Sequence, residues 1–181
     1  MNSTTATFRP PNPNPNLIKF KPNSHPTHMT SPTVTKKLNH LVTEFKTLHQ
    51  PIDRVKKLLH YASLLPEFNQ SRKIESNRVT GCTTQVWIDA TINDVNGMSF
   101  HADSDSEITK GFCYCLIWLL DGADGREVVE FRIDDLEEMN VGILPVRASS
   151  RVNTWHNVLI SMQNRTRDLM LMQKYGGDNN V

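Results

Sequence analysis

The stretch Gly81-Cys82-Thr83-Thr84-Gln85-Val86-Trp87 places a cysteine on a turn that leads into a strand. Glycine allows backbone angles that are closed to other residues, which favours a tight turn before the cysteine. A thiol reacts as its thiolate, and a partly exposed loop with backbone N–H groups nearby suits that chemistry. The alternative is that Cys82 is a small packing residue, which is the commoner role of a free cysteine.

Three strands are predicted to form a small antiparallel sheet around this turn. Apolar and polar residues alternate from Gln85 to Ile92, which is the pattern of a half-buried strand. Asn96-Gly97 then supplies the positive backbone angles of a hairpin turn into a strand through Met98 and Ala102. A further strand is predicted before the cysteine, around residues 77–80.

Helical spacing of apolar residues predicts helices on both sides of the sheet segment. Ser104 and Glu107 form a capping-box pattern that opens an almost wholly apolar helix, which must therefore be central. Helices packed on one face of an antiparallel sheet give the class α+β. The predicted helices run from Lys36 to Leu48, from Pro51 to Pro66, from Ser104 to Gly122 and from Ser150 to Gly176, and residues 122–144 hold short helical pieces at best, with an acidic surface at Asp134, Asp135, Glu137 and Glu138.

The composition predicts one globular domain behind a tail. The chain has 181 residues, 38% hydrophobic and 22% charged, and its first acidic residue is Glu44. Residues 1–30 are acid-free, rich in hydroxyl groups and dense in proline, which predicts an organellar transit peptide for plastids rather than mitochondria. The alternative is a disordered proline-rich tail that has no targeting function. Three cysteines, an odd number without a secretory signal, indicate reduced thiols, and the longest apolar run is about half of a membrane span.

Three motifs in order resemble the SufE family of sulfur acceptors. They are Gly81-Cys82 with Gln85-Val86-Trp87, then Asp103-Ser104-Asp105 with Ile108 and Lys110-Gly111, then Ser150-Arg151. The resemblance covers residues 35–173 and leaves residues 174–181 as a flexible tail. It implies the small-sheet fold of SufE and IscU. Departures from the family pattern are Thr83-Thr84, His101-Ala102 and Thr154, and they bear on the choice of partner more than on the chemistry.

The resemblance also implies a function. Cys82 would take persulfide sulfur from a SufS-like cysteine desulfurase, stimulate that enzyme and pass the sulfur to iron–sulfur cluster assembly in the plastid stroma. The chain would act as an activator and carrier rather than as a stand-alone enzyme, and the cofactor PLP is expected on the partner and none on this chain. A scaffold protein and a weak homodimer are compatible partners, whereas neither nucleic acid nor membrane is expected.

The residues around the motifs carry supporting roles. Gly81 would be the hinge of a loop with a covered and an extended position, and Gln85 would begin the strand behind it. Asp103 and Asp105 precede a helix, which favours capping over acid–base work, with tuning of the loop as a further possibility. Arg151 opens the last helix, where a cation is unfavourable, so a role at the Cys82 site is preferred over a solvated side chain.

The remaining candidates favour structural roles. Cys113 and Cys115 are two apart on a helix and point in different directions, so core packing is preferred over a cluster scaffold with Cys82. His101 is expected on the surface rather than as a base for Cys82. A cysteine phosphatase is excluded because Ile88 stands where the phosphate-binding arginine would be. A non-catalytic interaction module and, more distantly, a cysteine hydrolase using His60, His101 or His156 stay open.

Overall fold

The computed structural model describes residues 32–132, 134, 136 and 149–176. The predicted transit peptide and the end of the tail, residues 177–181, lie outside this range. The elements in chain order are α1 (Pro32–Thr47), α2 (Pro51–Leu64), two 3₁₀ turns (Gln70–Arg72 and Glu75–Asn77), β1 (Val86–Ile92), β2 (Met98–Ser104), α3 (Glu107–Leu120), α4 (Gly125–Glu130) and α5 (Ser149–Gly176).

The sheet is an antiparallel hairpin of β1 and β2 rather than the predicted three strands. Residues 77–80 do not form the first strand, because Asn77 ends a 3₁₀ turn and Arg78 makes a single bridge to Trp87. The positive φ of 79° at Gly81 then turns the chain away. The short stretch between these two turns leaves no room for a ladder, so the prediction of a third strand is wrong.

One face of the hairpin is covered by helices, which confirms the predicted α+β arrangement. The register sets Ile88 opposite Ala102 and Ala90 opposite Phe100, and these inward side chains belong to or pack against the core. On the other face Asp89 lies opposite His101, and His101 is exposed. The alternation seen in the sequence therefore separates a core face from a solvent face.

The hairpin turn differs in detail from the prediction. Asn96 alone takes a positive φ, of 62°, and the side chain of Asn93 accepts hydrogen bonds from the backbone N–H groups of Val95 and Gly97. Gly97 serves close packing instead, because a Cβ atom there would lie 2.9 Å from the carbonyl oxygen of Gly122. The turn and the end of α3 are thereby packed together.

Helix α3 lies at the centre of the domain, as its apolar sequence predicted. Leu116 and Leu119 are fully buried, and α3 packs against α2, β2, α1 and α5. Its N-cap is Ser106, whose hydroxyl accepts a hydrogen bond from the N–H of Thr109. The predicted capping box of Ser104 and Glu107 is therefore wrong, because Ser104 is still the last residue of β2.

Helix α5 packs across β1 and ties several elements together. The side chain of Arg165 donates to the carbonyl oxygens of Ile88 and Ser76, at 2.9 and 2.8 Å. Trp155 is buried, with its ring centroid 4.4 Å from that of Phe112 on α3. The helix continues through Gly176, so residues 174–176 of the predicted tail are helical.

The described residues that follow α3 include the short helix α4. The side chain of Asp124 caps it, and Asp134 further on is exposed and pairs with Arg132. The other acidic residues predicted here, Asp135, Glu137 and Glu138, lie outside the described residues. Within the described part of the chain, none of the helices has the length and apolar character needed to cross a bilayer.

Candidate functional site

Cys82 lies on a short loop, residues 79–85, whose two ends are close together; we call it the cysteine loop. Val79 donates its backbone N–H to the carbonyl oxygen of Val86 at 2.8 Å, which closes the loop at its base. Gly81 has a φ of 79°, as its place before the cysteine predicted. The Cys82 side chain is half-buried and packs against the edge of the core. The loop therefore presents one thiol at the boundary between core and solvent.

The loop enters β1 through a hydrogen-bonded clamp at Gln85. The carboxylate of Asp105 accepts from the N–H of Gln85 at 3.0 Å, and the N–H of Asp105 donates to the carbonyl oxygen of Gln85 at 3.2 Å. The hydroxyl of Ser104 donates to the same carbonyl oxygen at 2.7 Å. Asp105 therefore holds the strand end of the loop, and its predicted role as a helix cap is wrong because Ser106 occupies that position.

Asp103 has a different environment from Asp105. Its carboxylate forms ion pairs with Lys73 and Lys110 on the outer face of the hairpin. Lys73 also lies over the ring of Trp87, 5.2 Å from its centroid. Asp103 therefore joins the loop before β1 to β2 and α3. Its predicted capping role is also wrong, and the two carboxylates do not form an acid–base pair, because their hydrogen bonds and ion pairs go to different partners.

Burial and one hydrogen bond act in opposite directions on the Cys82 thiol. Burial raises its pKa above the ordinary value, and a hydrogen bond with the side chain of Asn157 on α5 partly offsets this increase. A thiol with a raised pKa is mostly neutral at physiological pH. In this covered position Cys82 is therefore protected more than activated, and exposure to water would increase its thiolate fraction.

The other two cysteines are core residues, as predicted. Both are fully buried in α3, and burial raises the pKa of Cys113 to about 12 and that of Cys115 well above its ordinary value. Negative charge on Cys82 or Asp103 raises the pKa of Cys113 further, and negative charge on Glu44 or Cys113 raises that of Cys115, with Lys57 acting in the opposite direction. Across the residues that the structure describes, no three His, Cys, Asp or Glu side chains are grouped to hold a metal ion.

The three histidines considered as bases for Cys82 lie on the surface. His101 projects from the outer face of the hairpin, as predicted, whereas Cys82 packs towards the core. His60 on α2 and His156 on α5 are exposed as well. A histidine base for Cys82 thus gains no support from this arrangement.

The last predicted site residue, Arg151, lies in the first turn of α5. Its side chain is outside the described part of the structure, so its role at the Cys82 site stays a prediction. Thr154, one turn further, is buried and lines a polar cavity of about 200 Å³ together with Thr83, Thr84, Ser106 and Thr109. The start of α5 is therefore close to the cysteine loop.

Sequence reasoning missed Asn157, which contacts the loop from α5. A Cβ atom on Gly81 would lie 3.0 Å from the side-chain nitrogen of Asn157. In the sequence Asn157 is one of two polar residues between Trp155 and Val158, with no motif around it. Only the packing of α5 against β1 brings it to the cysteine, so no local signal could have identified it.

Fold and site together define a small α+β domain with one accessible thiol, and comparisons with known proteins give its family. The SufE family, described as "Fe-S metabolism associated domain", matches residues 39–166. The chain therefore belongs to the SufE family, and the match supports a role in Fe–S metabolism. The resemblance seen in the motifs is confirmed.

Plant and cyanobacterial relatives agree with this assignment. The chain is 58% identical over 134 residues to SufE-like protein 2, chloroplastic, of Arabidopsis thaliana, covering 74% of this chain and 52% of the relative. It is 51% identical over 165 residues to quinolinate synthase, chloroplastic, of the same plant, covering 91% of this chain and 23% of the relative. It is 33% identical over 150 residues to a SufE-like protein of Synechocystis, covering 82% of this chain and 91% of that protein.

A solved structure supports the fold. The solution structure of a hypothetical protein from Thermus thermophilus aligns with a TM-score of 0.59 at 21% identity, covering 75% of this chain and 96% of that one. The chain spans about half the length of SufE-like protein 2 and under a quarter of the quinolinate synthase. Its domain is thus shared with proteins that differ greatly in total length.

Proposed function

We propose that this chain accepts persulfide sulfur on Cys82 from a PLP-dependent cysteine desulfurase, stimulates that enzyme and passes the sulfur to iron–sulfur cluster assembly. The observation that carries the proposal is the setting of Cys82. Of the three cysteines in the sequence, it alone is on a loop and partly exposed, and the other two are fully buried. Membership of the SufE family, whose domain is associated with Fe–S metabolism, supports the same function.

The transfer is a thiol–persulfide exchange that needs no external oxidant. The Cys82 thiolate attacks the outer sulfur of the desulfurase persulfide, a new S–S bond forms at Cys82, and the old S–S bond breaks. The desulfurase cysteine leaves as a thiolate and is ready for another cycle. The rate of such an exchange depends on the thiolate fraction of the attacking sulfur and on its access. This chain supplies the attacking sulfur of Cys82 and holds it in position. We propose that PLP is held by the partner only.

The covered position of Cys82 fits a carrier that waits for its partner. Burial raises the pKa of the thiol, so the free protein reacts slowly with unrelated electrophiles. Contact with a desulfurase that draws the loop outward would remove that burial and increase the thiolate fraction. Sulfur transfer would then be linked to binding of the correct partner.

The test combines turnover of a plastid desulfurase with mass spectrometry of this protein. Added wild-type chain should increase sulfide release from cysteine, and Cys82 should gain the mass of one or more sulfur atoms. Cys82→Ser should fold normally and lose both effects completely. The matched control, Cys113→Ala with Cys115→Ala, should keep both effects with a small loss of stability from the voids.

Two outcomes would overturn the proposal. One is sulfur on Cys113 or Cys115 instead of Cys82, and the other is full stimulation by Cys82→Ser. In either case a non-catalytic interaction module becomes the better function. A cysteine hydrolase gains nothing from the structure, because His60, His101 and His156 are all exposed and His101 lies on the outer face of the hairpin.

We further propose that the protein acts in plastids. The acid-free residues 1–30 and the word chloroplastic in the names of the Arabidopsis relatives support this location. A fusion of residues 1–30 to a fluorescent protein should accumulate in the stroma. Fluorescence that stays in the cytosol would contradict a transit peptide, and mitochondrial fluorescence would contradict the organelle.

A further inference from the structure

The two ends of the cysteine loop are held differently from its tip. At the ends, the backbone N–H of Val79 donates to the carbonyl oxygen of Val86, and the backbone of Gln85 bonds to both the N–H and the carboxylate of Asp105. At the tip, the contacts are made by side chains. The hydroxyls of Thr84 and Thr109 are 3.3 Å apart, and Asn157 reaches Gly81 and the sulfur of Cys82. The tip can therefore move when these side-chain contacts break, while the ends stay in place.

Asn157 approaches the loop from a firmly anchored helix. Arg165, two turns further along α5, donates to the carbonyl oxygens of Ile88 and Ser76 and to the hydroxyl of Ser161. Trp155, two residues before Asn157, is fully buried against Phe112. The backbone of Asn157 is thus fixed relative to β1, and its amide reaches the loop from a rigid support.

The amide has room to leave its position at the loop. A polar cavity of about 170 Å³ lies between Arg78 to Thr80 and α5, and Asn157, Asn164 and Arg165 are among its lining residues. Asn157 is half-buried, so rotation of its side chain into this cavity need not disturb the core. Contact with Cys82 and withdrawal from it are both sterically available.

We propose that Asn157 is a positioning residue that holds Cys82 in its covered position and lets it go when the loop extends towards a partner. Gly81 is part of the same device, because the absence of a Cβ atom lets the amide reach the loop. This inference rests on the proposed sulfur-acceptor function for its purpose. The contact itself is independent of that function and can be tested without a desulfurase.

The test measures alkylation of Cys82 by iodoacetamide in the native full chain as a function of pH. Loss of one hydrogen bond changes an equilibrium by about fivefold. Asn157→Ala should therefore extend the loop more often and alkylate about fivefold faster at pH 7.5, because the gain in exposure of the sulfur exceeds the loss of the amide that stabilises its thiolate. A residue that only stabilised the thiolate would give the opposite sign, because its removal would raise the pKa and slow the reaction.

Two further variants complete the test. Asn164→Ala is the matched control, since Asn164 lies two turns further along the same helix and lines the same cavity. It should leave the rate unchanged. Asn157→Asp keeps the shape but puts a carboxylate beside the sulfur, which should raise the pKa of Cys82 and slow alkylation.

The proposal is overturned if Asn157→Ala alkylates at the wild-type rate or slower, if Asn164→Ala accelerates equally, or if Asn157→Asp is indistinguishable from wild type. Melting curves of all variants separate these effects from general loss of structure. A faster Asn157→Ala variant together with a Cys82→Ser variant that still stimulates desulfurase fully would keep the positioning role and reject the sulfur-acceptor function. The two ideas can therefore fail separately.

Discussion

The cysteine loop and helix α3 hold the same chemical group in opposite environments. Cys82 on the loop is half-buried, whereas Cys113 and Cys115 on α3 are fully buried. Desolvation raises the pKa of all three thiols, but only the loop can relieve it by a local movement. A helix in the centre of the domain would have to unfold to expose its sulfurs. The comparison indicates that local uncovering, in addition to the resting pKa, separates the loop thiol from the two helix thiols.

The largest effect that separates the two regions should appear in native thiol labelling. A pKa of about 12 for Cys113, against an ordinary 9.0, means about a thousandfold smaller thiolate fraction at neutral pH, and burial adds a barrier to access. Iodoacetamide at pH 8 should therefore modify Cys82 more than a hundredfold faster than Cys113 or Cys115. Peptide mass spectrometry at timed intervals measures the three rates.

The pH dependence of labelling sharpens the same comparison. Because burial raises the pKa of Cys82, its labelling rate should keep increasing as the pH rises past 9. In urea all three cysteines should be labelled at similar rates, since unfolding returns the pKa of each thiol to its ordinary value. Comparable rates for Cys82 and Cys113 in the native protein would contradict the assignment of Cys113 to the core.

Periodic patterns in the sequence predicted the parts of the fold that depend on one element at a time. The spacing after Pro51, the apolar run in α3 and the pattern up to Gly176 each specify a helix by its own buried face. The hairpin was predicted from strand alternation on both sides of Asn96-Gly97. These patterns lie within single elements or between neighbouring strands, so they can be read directly from the sequence.

The wrong predictions concern choices made by tertiary contacts. Ser104 and Ser106 are both suitable N-cap residues, and the choice of Ser106 depends on β2 continuing through Ser104, whose hydroxyl binds Gln85. Residues 77–80 have strand-like composition, but the turns at Asn77 and Gly81 interrupt them. A pattern of side chains cannot report where the backbone must turn to meet another element.

For the site, as for the fold, the sequence predicted the residues that belong to a local motif and missed those that tertiary packing brings in. Cys82, Gly81 and Gln85 follow from the motif and its strand, and the structure links Asp105 to them by the bond to Gln85. Asn157 reaches the loop only because α5 crosses β1. Gly111 is a similar case, since the sequence gives a glycine inside a helix and the structure gives its reason. A Cβ atom there would lie 2.9 Å from the carbonyl carbon of Leu58 and closer still to its oxygen, so α2 and α3 could not pack as they do.

Alanine substitutions at three glycines compare the rigid helix with the movable loop at a smaller scale of effect. Gly111→Ala should lower the free energy of unfolding most, by about 1–3 kcal/mol or more, because the new methyl group meets backbone atoms of Leu58 that cannot give way without moving a helix. Gly81→Ala and Gly122→Ala should each cost about 1–2 kcal/mol, since an L-residue is strained at their positive φ values. Urea unfolding curves measure all three.

The pair Gly81 and Gly122 isolates the loop contact, because their backbone angles are almost equal, at 79° and 81°. Among the residues that the structure describes, none beyond the immediate neighbours has an atom within 4 Å of a Cβ atom placed at Gly122, whereas at Gly81 the side-chain nitrogen of Asn157 is 3.0 Å away. Gly81→Ala should therefore displace that amide and increase the alkylation rate of Cys82 by a few fold, whereas Gly122→Ala should change stability alone. Equal alkylation rates in the two variants would mean that the loop stays covered even when the amide of Asn157 is displaced. The hydrogen bonds at the two ends of the loop, rather than the amide, would then control how easily Cys82 is exposed.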